Sequence, residues 1–290
     1  MGIQQNDEKY CDIKAVAFDL DGTLLDSNGD LSPAVITAVQ LLRDRGILPI
    51  IATGRSFQAM SIYKKQLDIS SPVICYNGAA IFNGHSGKIL HSCLLDDEIS
   101  QRIIDLGRAH GFHTQGFRNE ELLFESHNEE VENYERHIGF HGSLVNFDTI
   151  EPLHMTKMMY VSQDTDGILE LAKQLEAEFG RRLNQCFSLP TFYEMMDGQA
   201  CKRQALEMVL DDAGIDMAHT MAFGDGHNDI PMLTSVKVGV VMNNASDEVK
   251  VSTNYRALDN DKDGVARYLD SYFHLNLFED CLNAKSYAGQ

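Results

Sequence analysis

Ala15-Val16-Ala17-Phe18-Asp19-Leu20-Asp21-Gly22-Thr23-Leu24-Leu25 is a short apolar run that ends in two closely spaced aspartates. It is rich in β-preferred residues and too short for a helix before Gly22. It therefore predicts a buried parallel strand that delivers carboxylates at its C-terminal end. In open α/β sheets that end is where ligands bind. Two ionised acids so close repel each other and are costly to desolvate, so keeping both charged calls for a cation or hydrogen-bond donors nearby. Taken alone, Asp21-Gly22 reads more simply as a turn. The rest of the chain decides between the two readings.

Outward from this stretch, strand and helix patterns alternate. Ser32-Pro33 reads as an N-cap followed by proline at the first helical position, and Val35, Ile36, Val39 and Leu42 recur at helical spacing until Gly46. Ile47-Leu48-Pro49-Ile50-Ile51-Ala52 is the next strand, although Pro49 argues against a central place in a sheet. It ends in Thr53-Gly54-Arg55-Ser56. A helix over 57–67 leads to Pro72-Val73-Ile74-Cys75-Tyr76, a third strand, which ends in Asn77-Gly78-Ala79. This alternation makes a doubly wound parallel sheet.

The texture then changes. Ala80-Ile81-Phe82 and Lys88-Ile89-Leu90 flank a turn-rich segment and predict a hairpin. Helices are expected near 96–109, 128–139 and 166–179, and strands near 112–117, 121–125, 144–147, 155–161 and 183–193. The Glu129-Glu130-Val131-Glu132 run reads as a solvated helix face. The histidines of this segment lack metal-ligand spacing. The doubly wound pattern resumes with a helix opened by Lys202, a strand Thr220-Met221-Ala222-Phe223 that ends in Gly224-Asp225-Gly226-His227-Asn228-Asp229, and a strand Val238–Met242. A last helix starts at Gly264, and residues beyond about Tyr272 form a tail. The expected architecture is α/β: a Rossmann-like doubly wound core of residues 1–83 and 190–290, with an α+β domain of residues 84–189 inserted into it.

Composition narrows the function. Across 290 residues, 43 acids outnumber 24 bases, a formal net charge of -19. That excess argues against a nucleic-acid backbone or an anionic membrane surface as the main partner. The six scattered cysteines form no Cys-x-x-Cys pair and read as reduced, mostly buried thiols. With no signal-peptide pattern and no apolar stretch long enough to span a bilayer, a cytoplasmic protein is expected.

The chemistry-bearing residues all fall just past a strand or at a helix start. Thr53 offers a hydroxyl, and Gly54 lets a phosphate approach the backbone. Lys202 near a helix N-terminus supplies a fixed positive charge. Asp225 and Asp229 flank a tight Gly-x-Gly turn suited to hard oxygen ligands for magnesium. Each has a plainer reading by itself: a loop pair, a solvated lysine, a capped turn.

Together, these clusters appear in the order of the four motifs of the haloacid dehalogenase (HAD) superfamily, whose first is Asp-x-Asp-Gly-Thr. Glu194-Met195-Met196 through Lys202 to Ala205-Leu206, Gly224 through Leu233, and Asp263-Gly264-Val265-Ala266 resemble its Cof-type (IIB) branch. The resemblance covers most of 13–93 and 190–270. The insert fits a C2B-type cap by position, length and αβ character. Arg203, Gly198, Gln199 and Asn243 depart from the branch pattern without removing a catalytic group.

The resemblance implies a phosphatase in which Asp19 is the nucleophile that forms an aspartyl-phosphate. Asp21 would protonate the leaving alcohol and then activate water. Mg²⁺ would be held by Asp19, the backbone carbonyl of Asp21, and Asp225, with Asp229 orienting a metal-bound water or Lys202. Thr53, the Gly54 amide, Lys202 and Asn228 would hold the phosphoryl oxygens. The expected substrate is a small phosphorylated metabolite, sugar phosphates first, with nucleotide or cofactor phosphates such as flavin or pyridoxal phosphate behind them. Arg55, Asn77, His113, Arg118 and Lys157 are polar residues available to a substrate pocket, and Asn77 is preferred among them. A phosphomutase of the phosphomannomutase type and a non-enzymatic phosphometabolite sensor are the competing readings.

Overall fold

The computed structural model describes residues 12–189 and 191–278. From the amino end come strand β1 (Ala15–Phe18), helix α1 (Pro33–Asp44), strand β2 (Leu48–Ile51), helix α2 (Phe57–Gln66) and strand β3 (Val73–Cys75). The hairpin strands β4 (Ala80–Phe82) and β5 (Ile89–Ser92) follow. The middle of the chain folds as α3 (Asp97–His110), β6 (His113–Arg118), β7 (Glu121–Phe124), α4 (Glu129–Ile138), β8 (Ser143–Leu144), β9 (Lys157–Val161), α5 (Thr165–Phe179), β10 (Leu183–Leu189) and β11 (Phe192–Asp197). The carboxyl third supplies α6 (Lys202–Asp212), β12 (Thr220–Gly224), α7 (Ile230–Leu233), β13 (Val238–Val241), α8 (Asp247–Lys250), β14 (Tyr255–Arg256) and α9 (Gly264–Phe273).

These elements form two compact units. The first takes the described residues up to Thr53, Ile62–Val73, and those from Leu206 onward; the second takes Gly54–Ser61 and Ile74–Ala205. The first unit is built on a parallel sheet in the order β14-β13-β12-β1-β2. Every residue of β1 is buried, as a strand flanked on both sides requires. Phe18 lies opposite both Phe223 and Ile51, and the Phe18 and Phe223 rings stack at 5.6 Å. Pro49 is accommodated because β2 is the outermost strand of this sheet. From β1 the sheet grows one way to β2, while β12, β13 and β14 grow the other way. The topological switch point therefore lies between β1 and β12.

Helix α1 starts as its sequence signals: the Ser32 hydroxyl accepts from the Val35 amide, with Pro33 at the first position. Its buried stripe of Val35, Ala38, Val39 and Leu42 includes all the predicted apolar positions except Ile36, which is half-buried. Helix α9 packs against it.

The second unit holds a mixed sheet in the order β10-β11-β9-β6-β7-β8 and a smaller sheet β3-β4-β5. Its core joins Ile99, Ile103 and Ile104 of α3 and Ile168, Leu171 and Leu175 of α5 to Met158 and Tyr160 of β9. Three expectations are corrected here. The single strand expected over 183–193 is two antiparallel strands, β10 and β11, with Thr191 in the turn between them, since an apolar, β-preferred run carries no mark of where it reverses. The strand expected over 144–147 stops at Leu144, since the Asn146 side chain accepts from the Asp148 amide and starts a 3₁₀ turn instead. Of the described cysteines only Cys75 is buried; Cys93, Cys186 and Cys201 are half-buried, and all four are free thiols. Cys11, Cys281 and the tail beyond Phe278 lie outside the described residues. Among the described residues no helix is long and apolar enough to cross a membrane.

A Cβ on Gly239 in β13 would lie 1.9 Å from the backbone carbonyl oxygen of Leu233. Gly239→Ala is expected to destabilise the fold by about 1–3 kcal/mol, the usual cost of overpacking, read as a lowered midpoint in chemical denaturation.

Candidate active site

The apolar β1 stops at Asp19, which keeps to the sheet for one more residue: its amide donates to the Phe223 carbonyl at 3.1 Å. Its side chain is 7% exposed. The chain then turns through Leu20–Leu24, closed by the Leu25 amide donating to the Leu20 carbonyl at 2.9 Å. This wide turn leaves Asp21 exposed and puts Gly22 at φ +74°. A Cβ on Gly22 would sit 2.3 Å from Asp225 Oδ2, so the glycine is what lets Asp225 come in over the turn.

Asp225 follows β12, the strand across the switch point. The Thr23 hydroxyl donates to its Oδ1 at 2.8 Å, and Asn244 Nδ2 approaches its Oδ2 at 3.5 Å while donating to the Gly22 carbonyl at 2.8 Å. Asp229 is fully buried and accepts from the amides of Asp225 and Gly226 at 3.1 and 2.9 Å through Oδ2. It thereby fixes the loop that presents Asp225. A Cβ on Gly226 would meet Asn228 Oδ1 at 2.3 Å, so Asn228 folds over this glycine.

The result is three carboxylates, from Asp19, Asp225 and Asp229, each with an oxygen within 4.8 Å of the others. An all-oxygen set of this kind suits a hard divalent cation such as Mg²⁺, and the clustered negative charge favours one. Thr53 is fully buried one residue beyond Ala52, whose amide pairs with the Phe18 carbonyl, so it lies past the end of β2 beside β1.

Gly54, Asn77 and Lys202 belong to the second unit. Lys202 opens α6 and is 1% exposed. Asn77, 3% exposed, takes a left-handed φ of +55°. Its Oδ1 lies 3.0 Å from where a Cβ of Gly54 would be. Lys157 proves to be deeply buried and ion-paired with Glu194 at 2.7 Å. Burial by itself would lower its ammonium, but the Glu194 carboxylate and the Tyr134 hydroxyl outweigh burial and hold it above its ordinary range. His113 is buried beside Gln115 and Asn128, and burial lowers its imidazole.

Sequence reading gave no role to Thr23, Asn244 or Glu194, although each stands inside or beside a quoted motif. It missed Glu120 altogether, which carries no local motif. At the tip of the β6–β7 hairpin Glu120 takes φ +68°, accepts from the Tyr76 hydroxyl at 2.7 Å and accepts from the Gln58 amide at 3.1 Å.

An α/β sheet that gathers acids at its switch point places them where ligands bind in such sheets. Residues 16–269 match the family described as haloacid dehalogenase-like hydrolase. An HMP-PP phosphatase of Citrobacter koseri is 32% identical over 240 residues, 80% of this chain and 85% of that protein. In Bacillus subtilis, the 5-amino-6-(5-phospho-D-ribitylamino)uracil phosphatase YitU is 27% identical over 274 residues, 90% of this chain and 97% of its own. A solved haloacid dehalogenase-like hydrolase from Bacteroides thetaiotaomicron superposes with a TM-score of 0.82 at 25% identity, covering 89% of this chain and 99% of that one. The chain belongs to the haloacid dehalogenase-like hydrolases and is a phosphatase of this family.

Two outcomes are expected. Thr23→Val removes the donor that orients Asp225 and should weaken divalent-cation affinity at the three-carboxylate cluster about 10–100-fold in a calorimetric titration, as loss of an outer hydrogen bond typically does. For Glu120, burial raises the carboxyl above its ordinary 4.5, against the lowering effect of its hydrogen bonds from Tyr76, Gln58 and Phe57. The folded state then binds more protons than the unfolded one from pH 4.5 upward, so stability falls as pH rises through that window. The melting temperature of the wild type relative to Glu120→Gln should accordingly decline as the pH is raised above 4.5.

Proposed function

We propose that this phosphatase is Mg²⁺-dependent and hydrolyses small phosphate monoesters, sugar phosphates first, through an aspartyl-phosphate on Asp19. The observation that carries the reading is the gathering of the Asp19, Asp225 and Asp229 carboxylates at the carboxyl ends of β1 and β12. Asp19 is the member of the cluster that directly follows β1, held to the sheet by its own amide, with the short reach of a fixed nucleophile.

In the first step an Asp19 oxygen forms a bond to phosphorus while the ester oxygen leaves and takes the proton of Asp21. In the second, Asp21 takes a proton from water, the water oxygen bonds to phosphorus, and the Asp19 oxygen–phosphorus bond breaks. Inorganic phosphate leaves and both aspartates return to their starting state. The exposure of Asp21 suits a group that must meet both an alcohol and a water. Asp19, Asp225 and the Asp21 carbonyl would hold Mg²⁺, with Asp229 fixing the loop behind Asp225. The ion, when bound, supplies neutralising charge for the phosphoryl group and lets the carboxylates approach it. The Thr53 hydroxyl, Gly54 amide, Lys202 ammonium and Asn228 amide hold the phosphoryl oxygens.

We assign residues 84–189 as the inserted cap and 1–83 with 190–290 as the core. The cap selects the leaving group and excludes water in the first step. The substrate named for the Bacillus relative carries a phosphorylated ribityl chain, which supports a polyol or sugar phosphate. The charge of -19 disfavours polyanionic partners and also repels a phosphate ester, so the bound cation and local positive charge such as Lys202 must offset it.

Phosphate release from a panel of sugar, nucleotide and cofactor phosphates is expected with Mg²⁺ and not with EDTA. Asp19→Asn should lower kcat by at least about 10³-fold while leaving the circular dichroism spectrum unchanged. Wild-type turnover in Asp19→Asn would contradict the nucleophile assignment, and undiminished release in EDTA would contradict the metal.

A further inference from the structure

Four segments distant in sequence meet inside the second unit. Lys157 at the start of β9 and Glu194 on β11 form an ion pair at 2.7 Å, with side chains 2% and 5% exposed. Lys157 Nζ also donates to the Gly54 carbonyl at 3.3 Å and lies over the rings of Tyr76 and Phe117 at 5.7 and 5.4 Å. The second Glu194 oxygen accepts from Asn77 Nδ2 at 3.1 Å. Asn77 in turn stands against the Cα of Gly54, so Lys157, Glu194, Asn77 and Gly54 close a ring. Next to Asn77, Gly78 packs on the Cys201 backbone, where a Cβ would lie 2.4 Å from the Cys201 carbonyl oxygen, one residue before Lys202.

A buried ion pair is a poor source of stability, because desolvating two charges cancels most of their attraction. What it does provide is geometry. Gly54 has no side chain and the greatest backbone freedom of any residue, so its conformation must be set from outside. Here its carbonyl is held by Lys157 and its Cα face is covered by Asn77, whose own amide is held by Glu194.

We propose that the Lys157–Glu194 pair is a positioning device for the phosphate grip: it fixes Gly54 directly and, through Asn77-Gly78, braces the segment that leads into Lys202. Lys157 and Glu194 are positioning residues and touch no substrate. The proposal rests on the reading of Gly54 and Lys202 as phosphate-holding groups. A misaimed donor at the transferring phosphoryl group raises the barrier without weakening ground-state binding to the same degree.

The test compares wild type, Lys157→Met and Asn77→Ala with p-nitrophenyl phosphate and ribose 5-phosphate, with thermal melts to establish that each variant is folded at the assay temperature. Both variants are expected to lose at least about tenfold in kcat on both substrates, with KM within about threefold. Should Lys157→Met fail to fold, Asn77→Ala leaves the ion pair intact and carries the test alone. A folded Lys157→Met or a folded Asn77→Ala with wild-type kcat would overturn the proposal. So would a KM increase confined to one substrate, which marks direct substrate selection. A wild type that neither releases phosphate nor binds inorganic phosphate by calorimetry would overturn the phosphatase reading and this proposal together.

Discussion

Like charge held at close range is the constraint around which the first unit is arranged. Carboxylates within 4.8 Å of one another are tolerated only where donors and a cation offset their repulsion. The chain provides the donors itself: backbone amides for Asp229, the Thr23 hydroxyl and Asn244 for Asp225. Two glycines make the approach sterically feasible, Gly22 beneath Asp225 and Gly224 beside Asp229. The parallel sheet sets the spacing, because β1 and β12 are neighbours in register and each ends where its acid begins. The donors that orient these acids thus belong to the same strands and turns that carry them, the kind of preorganisation that electrostatic stabilisation uses.

Much of this was legible in the sequence because it is local. Apolar runs that stop abruptly at Asp19, Thr53 and Asp225 announce strands and the side chains at their ends, and Ser32-Pro33 announces a helix start. The family motifs then order those clusters. What stayed hidden depends on contacts between distant segments. Thr23 and Asn244 carry no sign that they converge on Asp225 across 202 and 19 residues. Glu120 looks like any hairpin-tip acid until its carboxylate meets Tyr76 and the first turn of α2. Lys157 reads only as one of several polar residues available to a substrate pocket, since nothing nearby in sequence indicates the Glu194 that neutralises it 37 residues on. The break between β10 and β11 was missed because apolar and β-preferred residues continue on both sides of the turn.

The second unit carries a different kind of order. Its aliphatic core binds α3 and α5 to the sheet through ordinary packing, whereas buried Lys157, Glu194 and Asn77 form a polar, hydrogen-bonded ring with the half-buried Gly54. Such networks specify one arrangement more strongly than an apolar core does, since each member left without its partner would be costly. Placing one at a glycine follows the same logic as placing Asp229 behind Asp225: in both places a loop is fixed from behind by a buried polar group.

The central claim is that Asp19 becomes covalently phosphorylated during turnover. It is tested most directly by mixing enzyme with a ³²P-labelled sugar phosphate, quenching in acid on the millisecond scale, and mapping the label by peptide mass spectrometry. The account predicts an acid-stable, hydroxylamine-sensitive phosphoryl group on the peptide carrying Asp19, formed and lost at rates compatible with kcat. Label on any other residue, or phosphate release with no covalent phosphate at any time point, would contradict it.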